Sequence, residues 1–60
     1  MKNTHTLKER RAAHWFKLGR YWMQASSQAE NKGEFDTYIQ RAARAYCKAY
    51  ENDPEPWKLI

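Results

Sequence analysis

The chain has little of what usually stabilises a very small protein. It is 60 residues long and has one cysteine, Cys47, so no disulfide can form within it. A chain this short buries only about 60% of the surface that it exposes when unfolded, and such chains often depend on a metal or a partner chain. We therefore predict self-association. A single thiol is also in keeping with a reducing cytoplasm.

No stretch of the sequence is apolar enough for a membrane span or a secretion signal. The chain lacks a run of the ~18 apolar residues that a spanning helix needs. Its first residues, MKNTHTLKERR, contain no apolar segment, which argues against a signal peptide. We expect a cytoplasmic protein with no membrane partner.

Side chains for metal binding or catalysis are scarce too. His5, His14 and Cys47 are the candidate soft ligands, but no Cys-x₂-Cys or His-x₃-His spacing occurs. Cys47 lies at the margin of an apolar helix face, where a thiol commonly packs as a small hydrophobic group. Gly19 and Gly33 are isolated and form no phosphate-binding loop. We predict no enzyme activity, no metal and no cofactor.

A first helical pattern begins near the N-terminus. Thr6 and Glu9 match a capping box, in which each side chain accepts a hydrogen bond from the other's backbone N–H. Apolar residues then recur at helical spacing from about residue 7 to about residue 30. This predicts a long amphipathic helix. Gly19 lies on the flank of its apolar face, where a glycine would allow another helix to approach closely, at about 1 kcal/mol of helix propensity relative to alanine.

A turn and a second helix follow. We predict the turn at 31–34, with Gly33 at positive φ after the end of helix 1. Helix 2 is predicted over about 35–52, because Pro54 disfavours helical backbone at the residue before it. Residues 53–60 form a tail.

A short connection makes the two helices antiparallel neighbours, so the predicted fold is an all-α hairpin. With helix 1 about 36 Å long and helix 2 about 27 Å, helix 1 should overhang at its N-terminal end. The tail emerges beside that end and should pack back on helix 1, with Trp57, Leu59 and Ile60 over Leu7 and Trp15. Opposite charges should then meet there: Glu51, Asp53 and Glu55 with Lys8, Arg10 and Arg11.

Both apolar faces are wider than one helix contact can cover. This predicts a further protein interface, most simply with a second copy of the chain in a bundle-like homodimer. The candidate core and interface residues are Trp15, Leu18, Trp22, Tyr38, Ala42, Tyr46, Ala49, Tyr50 and Trp57.

Part of the chain resembles the tetratricopeptide repeat, a helix–turn–helix unit. W-x₂-L-G runs from Trp15 to Gly19, with Trp22 at the expected aromatic position, and A-x₃-Y-x₂-A-x₄-P runs from Ala42 to Pro54. The sequence departs from the family by about two extra helical turns after Gly19 and by having a single unit. The resemblance implies a hairpin that binds proteins and has no catalytic activity.

The whole chain also resembles the small helical early proteins that lambdoid phages encode between their exonuclease and excisionase genes. The likeness is in size, in the basic start MKNTHTLKERR and in the predicted hairpin. It implies a regulator that acts in the host cytoplasm through contacts with host proteins.

The basic residues leave a second function open. The formal net charge is +4 and the bases lie on the polar side of both helices, where they could neutralise phosphates. Tyr21 points away from the apolar stripe and is the aromatic residue freest to meet a partner. The candidate partner- or nucleic-acid-binding residues are Arg10, Lys17, Arg20, Tyr21, Arg41, Arg44 and Lys48.

These patterns together predict a small non-enzymatic adaptor or inhibitor that binds another protein. If the phage resemblance holds, its target belongs to replication, transcription or cell-cycle machinery. The alternative is a basic accessory protein that binds DNA or RNA.

Overall fold

The computed structural model describes residues 6–60, and this part of the chain is all helical. Helix α1 spans Leu7–Ser26, helix α2 spans Lys32–Asn52, and a short 3₁₀ helix, η1, spans Pro56–Leu59. The two α-helices pack against each other as an antiparallel pair, and η1 packs mainly on α1. The predicted hairpin with a tail that returns to helix 1 is therefore confirmed. Within this range no helix has the length and apolar character needed to cross a bilayer.

The start of α1 is the predicted capping box. The Thr6 hydroxyl accepts a hydrogen bond from the backbone N–H of Glu9 at 3.1 Å, and the Glu9 carboxylate accepts one from the backbone N–H of Thr6 at 2.7 Å. Two of the donors that a helix N-terminus leaves unpaired are thus satisfied.

Helix α1 ends at Ser26, so the predicted end near residue 30 was wrong. The Ser26 and Ser27 hydroxyls donate to the carbonyls of Met23 and Gln24 at 2.6 and 2.7 Å. The backbone N–H of Ser27 also bonds to Gln24, three residues back, at 3.2 Å. Such short-range bonds compete with the regular ladder and tighten the last turn until the helix stops.

Helix α2 begins at Lys32, earlier than the predicted residue 35. Asn31 is its N-cap, because the Asn31 side chain accepts from the backbone N–H of Glu34 at 2.9 Å. Gly33 lies inside the first turn, and no described glycine has positive φ, so the prediction for Gly33 was wrong. The end of α2 at Asn52 agrees with the prediction.

The corrected bounds make the helices nearly equal in length. Helix α1 has 20 residues and α2 has 21, so the predicted overhang of helix 1 is absent. The two helices match along about 30 Å.

Small residues form the centre of the helix–helix interface. The residues most hidden from solvent are alanines and the glycine at position 19, whereas the large aromatic residues surround them and stay partly exposed. Small side chains let two helix backbones approach closely. The buried residues of the two helices are Ala12, Ala13, Gly19 and Ser26 on α1, and Ala42, Ala45 and Ala49 on α2.

Gly19 lets the Tyr46 ring of α2 pack against the backbone of α1, in agreement with the predicted role of this glycine. A methyl group at its Cα would lie 2.8 Å from Cε1 of Tyr46 and 2.9 Å from Cδ1 of the same ring. The ring of Tyr46 therefore occupies the space that a side chain at position 19 would need.

The tail contacts α1 through Trp57, as predicted, but the ring that it meets there is that of Phe16. Pro56 is fully buried, and the Trp57 ring meets Phe16 and Tyr50 edge-on at 6.2 and 6.3 Å. Leu7 stays 60% exposed, so the prediction that the tail covers it was wrong. The shorter α1 has no overhanging turn for the tail to cover.

Lys58 forms ion pairs with three carboxylates at this end of the hairpin. Its ammonium donates to Oε2 of Glu9 at 3.1 Å and lies 3.3 Å from Oδ2 of Asp53 and 4.0 Å from Oε1 of Glu55. The hydrogen bond to Glu9, with the charge of Asp53, raises the pKa of Lys58 above its ordinary value. Every ion pair among residues 6–60 involves Lys58, so the acidic residues do not pair with Lys8, Arg10 and Arg11 as predicted.

Candidate functional site

Both helices present a flank on each side of their shared interface, and the two flanks differ in chemistry. On one side, the Lys48 ammonium lies 5.4 Å from the centroid of the Trp15 ring, and the Arg41 guanidinium lies 4.9 Å from that of Trp22. Trp22 also stacks on Tyr38, with centroids 5.6 Å apart and planes 24° apart. These distances suit cation–π contacts, which orient the two cations. We call this side the basic–aromatic flank: Trp15, Trp22, Tyr38, Arg41, Arg44 and Lys48.

The cations of this flank form no ion pair with another described residue. Arg41, Arg44 and Lys48 are exposed, and no carboxylate lies within 4.0 Å of any of them in the described part of the chain. Their positive charge is left available to a ligand.

The opposite side is apolar. Phe16 meets Tyr46, Tyr50 and Trp57 edge-on, with centroid distances of 5.2, 6.4 and 6.2 Å. Met23 follows Phe16 by seven residues, or about two helical turns, and so extends the same side of α1.

Several side chains on this apolar side remain open to solvent. The exposed fractions are 44% for Met23, 45% for Phe35, 49% for Tyr50 and 48% for Trp57. Phe35 lies about three turns before Tyr46 on the same side of α2. We call this side the apolar flank: Phe16, Met23, Phe35, Tyr46, Tyr50 and Trp57.

The interface residues predicted from the sequence do not form one surface. Ala42 and Ala49 are 1% and 0% exposed between the two helices, so they pack within the hairpin and present no surface to a second chain. The half-buried Leu18 lies by helical spacing on the side of Trp15 and Trp22. The others divide between the flanks: Trp15, Trp22 and Tyr38 on the basic–aromatic one, and Tyr46, Tyr50 and Trp57 on the apolar one.

The predicted basic set divides in a similar way. Arg41, Arg44 and Lys48 belong to the basic–aromatic flank, whereas Arg10, Lys17 and Arg20 are exposed elsewhere on α1. Tyr21 is 59% exposed, as expected for the freest aromatic residue, and its ring meets Trp22 edge-on at 5.1 Å.

Sequence reasoning missed Met23 and Phe35 as surface residues of the apolar flank. It placed Arg41 and Lys48 on the polar face of helix 2 and did not pair them with the tryptophans. The antiparallel register brings Arg41 to Trp22 and Lys48 to Trp15. Both contacts depend on the register of one helix against the other, which the apolar periodicity of either helix alone does not report.

The potential ligands for a metal lie apart in the described residues. Cys47 is exposed, so it does not pack as a small hydrophobic group as expected. His14 is exposed with its ring 5.4 Å from that of Trp15, and His5 lies outside the described residues. Nowhere in residues 6–60 do three side chains of the His, Cys, Asp and Glu types meet in a way that could hold a metal ion.

The fold and its two flanks define the class: an all-α helical hairpin closed by a short C-terminal 3₁₀ helix. Comparison with models of protein families, with curated proteins and with solved structures found no match to this chain. The likeness to a tetratricopeptide unit and to phage early proteins stays a prediction from the sequence.

Proposed function

We propose that this chain is a small non-enzymatic adaptor or inhibitor that binds another protein through its apolar flank. The observation that carries the proposal is the exposure of Met23, Phe35, Tyr50 and Trp57 along one side of the hairpin.

The shape of the hairpin explains why this flank is left open. Two helices lying side by side form a single layer, and the shortest principal extent of the structure is 12 Å. Elements usually bury their apolar faces against a second layer, and this one has only the short η1 at one end. Exposed apolar patches of a few hundred Å² typically mark interaction sites.

The composition of the flank suits a protein partner. Aromatic residues and methionine are enriched at the centres of protein interfaces, whereas lysine and glutamate are depleted there. All six residues of the apolar flank are aromatic or methionine.

The partner of this proposal is a protein of the replication, transcription or cell-cycle machinery, as the resemblance to phage early proteins implies. When no partner protein is bound, we propose that a second copy of the chain covers the same flank. This keeps the predicted homodimer as part of the proposal.

Capture with single-residue variants tests the apolar flank. We expect tagged Phe35→Gln and Met23→Gln chains to lose a protein that the unaltered chain retains from a cell extract, because each places a polar group in the interface. Leu7→Gln is the matched control, since Leu7 is also exposed but lies at the start of α1. Equal retention by all four chains, or retention of nucleic acid alone, would contradict the proposal.

Sedimentation equilibrium tests the homodimer. We expect a mass near twice 7.2 kDa at high micromolar concentration for the unaltered chain and a lower mass for Phe35→Gln. A mass of 7.2 kDa for the unaltered chain at that concentration would refute the dimer.

A further inference from the structure

The middle of the hairpin contains no acidic residue. No aspartate or glutamate occurs between Glu9 and Glu30 on the first helix and its linker, or between Asp36 and Glu51 on the second. Seven basic residues lie in these two stretches: Arg10, Arg11, Lys17, Arg20, Arg41, Arg44 and Lys48. The acidic residues are confined to the two ends of the hairpin. Glu9, Asp53 and Glu55 surround Lys58 at one end, and Glu30, Glu34 and Asp36 lie near the turn at the other.

Three of these cations form a row on one side of α2. Arg41, Arg44 and Lys48 are three and four residues apart, which places them at rises of about 4.5 and 6 Å along the helix axis. Thr37 and Gln40 line a shallow depression of about 380 Å³ together with Arg41 and Arg44, and so add uncharged hydrogen-bonding groups to the row.

The tryptophans hold the ends of the row in place. Arg41 lies over Trp22 and Lys48 lies over Trp15, and both rings are themselves packed at the helix–helix interface. A cation that is already positioned loses less side-chain freedom when a ligand binds than one that extends freely into water.

The same contacts decide which part of a nucleic acid would be bound. Bases stack on open aromatic faces, whereas here a cation covers a face of each ring, and Trp22 is also stacked on Tyr38. Phosphates need only the cations, which remain exposed and unpaired in the described part of the chain.

We infer that the basic–aromatic flank binds the sugar–phosphate backbone of nucleic acid, without reading its sequence, through the row Arg41, Arg44 and Lys48. A linear polyanion with evenly spaced charges matches a straight row of cations on a rigid helix. This surface is separate from the apolar flank, so it does not depend on the proposed protein docking. A chain that used both flanks would bring a partner protein to nucleic acid.

Salt dependence tests the inference with a labelled mixed-sequence 20-base-pair DNA duplex as the probe. If the row contacts three phosphates, the slope of log K against log salt is about −2.7, and affinity falls about 40-fold between about 50 and 200 mM salt. The triple variant R41Q/R44Q/K48Q should lose that slope. A salt-independent affinity, or a triple variant that binds as the unaltered chain does, would overturn the inference.

A second triple variant separates the row from net charge. K8Q/R11Q/K32Q removes three exposed cations that lie off the row, and it should lose less than threefold in affinity. Circular dichroism checks that both triple variants keep their helix content. Equal losses in the two variants would show that charge alone is responsible and would overturn the assignment to the row.

Two further measurements use the unaltered chain. In ¹H–¹⁵N spectra, the duplex should shift the indole N–H signals of Trp15 and Trp22 and leave that of Trp57, on the apolar flank, in place. Poly-glutamate at the same charge concentration should bind more weakly than the duplex. Shifts confined to Trp57, or equal binding of poly-glutamate, would contradict a phosphate-binding flank.

Discussion

Gly19 acts in this protein through the space that it leaves. It lies in the middle of α1 with ordinary helical backbone, and the Tyr46 ring fills the position where a side chain would begin. The contact joins the centre of α1 to the centre of α2. The glycine lowers the helix propensity of α1, and the close packing of Tyr46 against it offsets that loss of stability.

Gly19→Ala should destabilise the fold. The added methyl gains about 1 kcal/mol of helix propensity but overpacks against Tyr46, which typically costs 1–3 kcal/mol, so we expect a net loss of about 1 kcal/mol. Urea denaturation followed by circular dichroism measures it.

Two further variants check the cause. Gly33→Ala should destabilise the fold less than Gly19→Ala does, because Gly33 is exposed and the added methyl meets no aromatic ring, only Oδ1 of Asn31 at 3.2 Å. Combining Gly19→Ala with Tyr46→Leu should remove most of the penalty. A stabilising Gly19→Ala in the unaltered background would show that the contact does not limit the packing.

For single residues, the sequence predicted the roles that depend on one helix and could not predict the contacts between the two helices. The capping pair Thr6 and Glu9 and the packing role of Gly19 could be predicted because each follows from one segment. The contacts of Arg41 and Lys48 with tryptophan rings could not, since they depend on how one helix is aligned with the other.

The end of α1 and the start of α2 were predicted wrongly from the sequence. Apolar spacing continues past Ser26, but the serine hydroxyls bond to the last-turn carbonyls and end α1 early. Asn31 then caps α2, and the Glu34 side chain accepts from the backbone N–H of Glu30 at 3.0 Å. A local competition between hydrogen bonds determines these bounds, and apolar periodicity does not report it.

Asn31→Ala should weaken α2 at its start. Losing the side-chain acceptor for the N–H of Glu34 is expected to cost about 1 kcal/mol. Urea denaturation gives the loss of stability, and faster amide exchange at Glu34 should locate it.

Asn31→Asp is the matched control, because its carboxylate can accept the same hydrogen bond and suits the positive end of a helix. It should keep the stability of the unaltered chain. If Asn31→Ala were as stable as Asn31→Asp, the cap would not contribute to the start of α2.

For the whole molecule, the tail joins the end of the chain to the start of α1. Pro56 and Trp57 supply the apolar contact, and Lys58 connects Glu9 to Asp53, whose buried Oδ2 lies 3.3 Å from the Lys58 ammonium. The sequence predicted this return because a hairpin brings both ends together. It assigned the charge contacts to other bases, since the reach of a single lysine to three carboxylates depends on the path of η1.

The Lys58 contact should make stability depend on alkaline pH. The pKa of Lys58 is raised in the fold, chiefly by the hydrogen bond to Glu9, so its contribution is complete below the ordinary lysine pKa near 10.5. That contribution is lost as pH rises through the higher pKa of the folded state. The free energy of unfolding measured between about pH 9 and 12 should therefore fall.

Lys58→Arg is the control, because arginine stays charged throughout this range. It should lose less stability than the unaltered chain as pH rises, while both share the ionisation of their tyrosines. Parallel pH profiles for the two chains would show that Lys58 does not hold the tail.

The small-residue interface between α1 and α2 also bears on which positions can vary. In most proteins the large buried side chains are the least replaceable and the small ones the more forgiving. Here Ala12, Ala42 and Ala49 are at most 1% exposed and Gly19 has no room for a methyl group, so larger side chains at these positions are expected to push the helices apart, whereas Met23 and Phe35 lie outside that contact. A saturation library selected for folding should be depleted mainly at alanines and glycine, the reverse of the usual profile, and many of its aromatic positions should be free to follow the demands of binding.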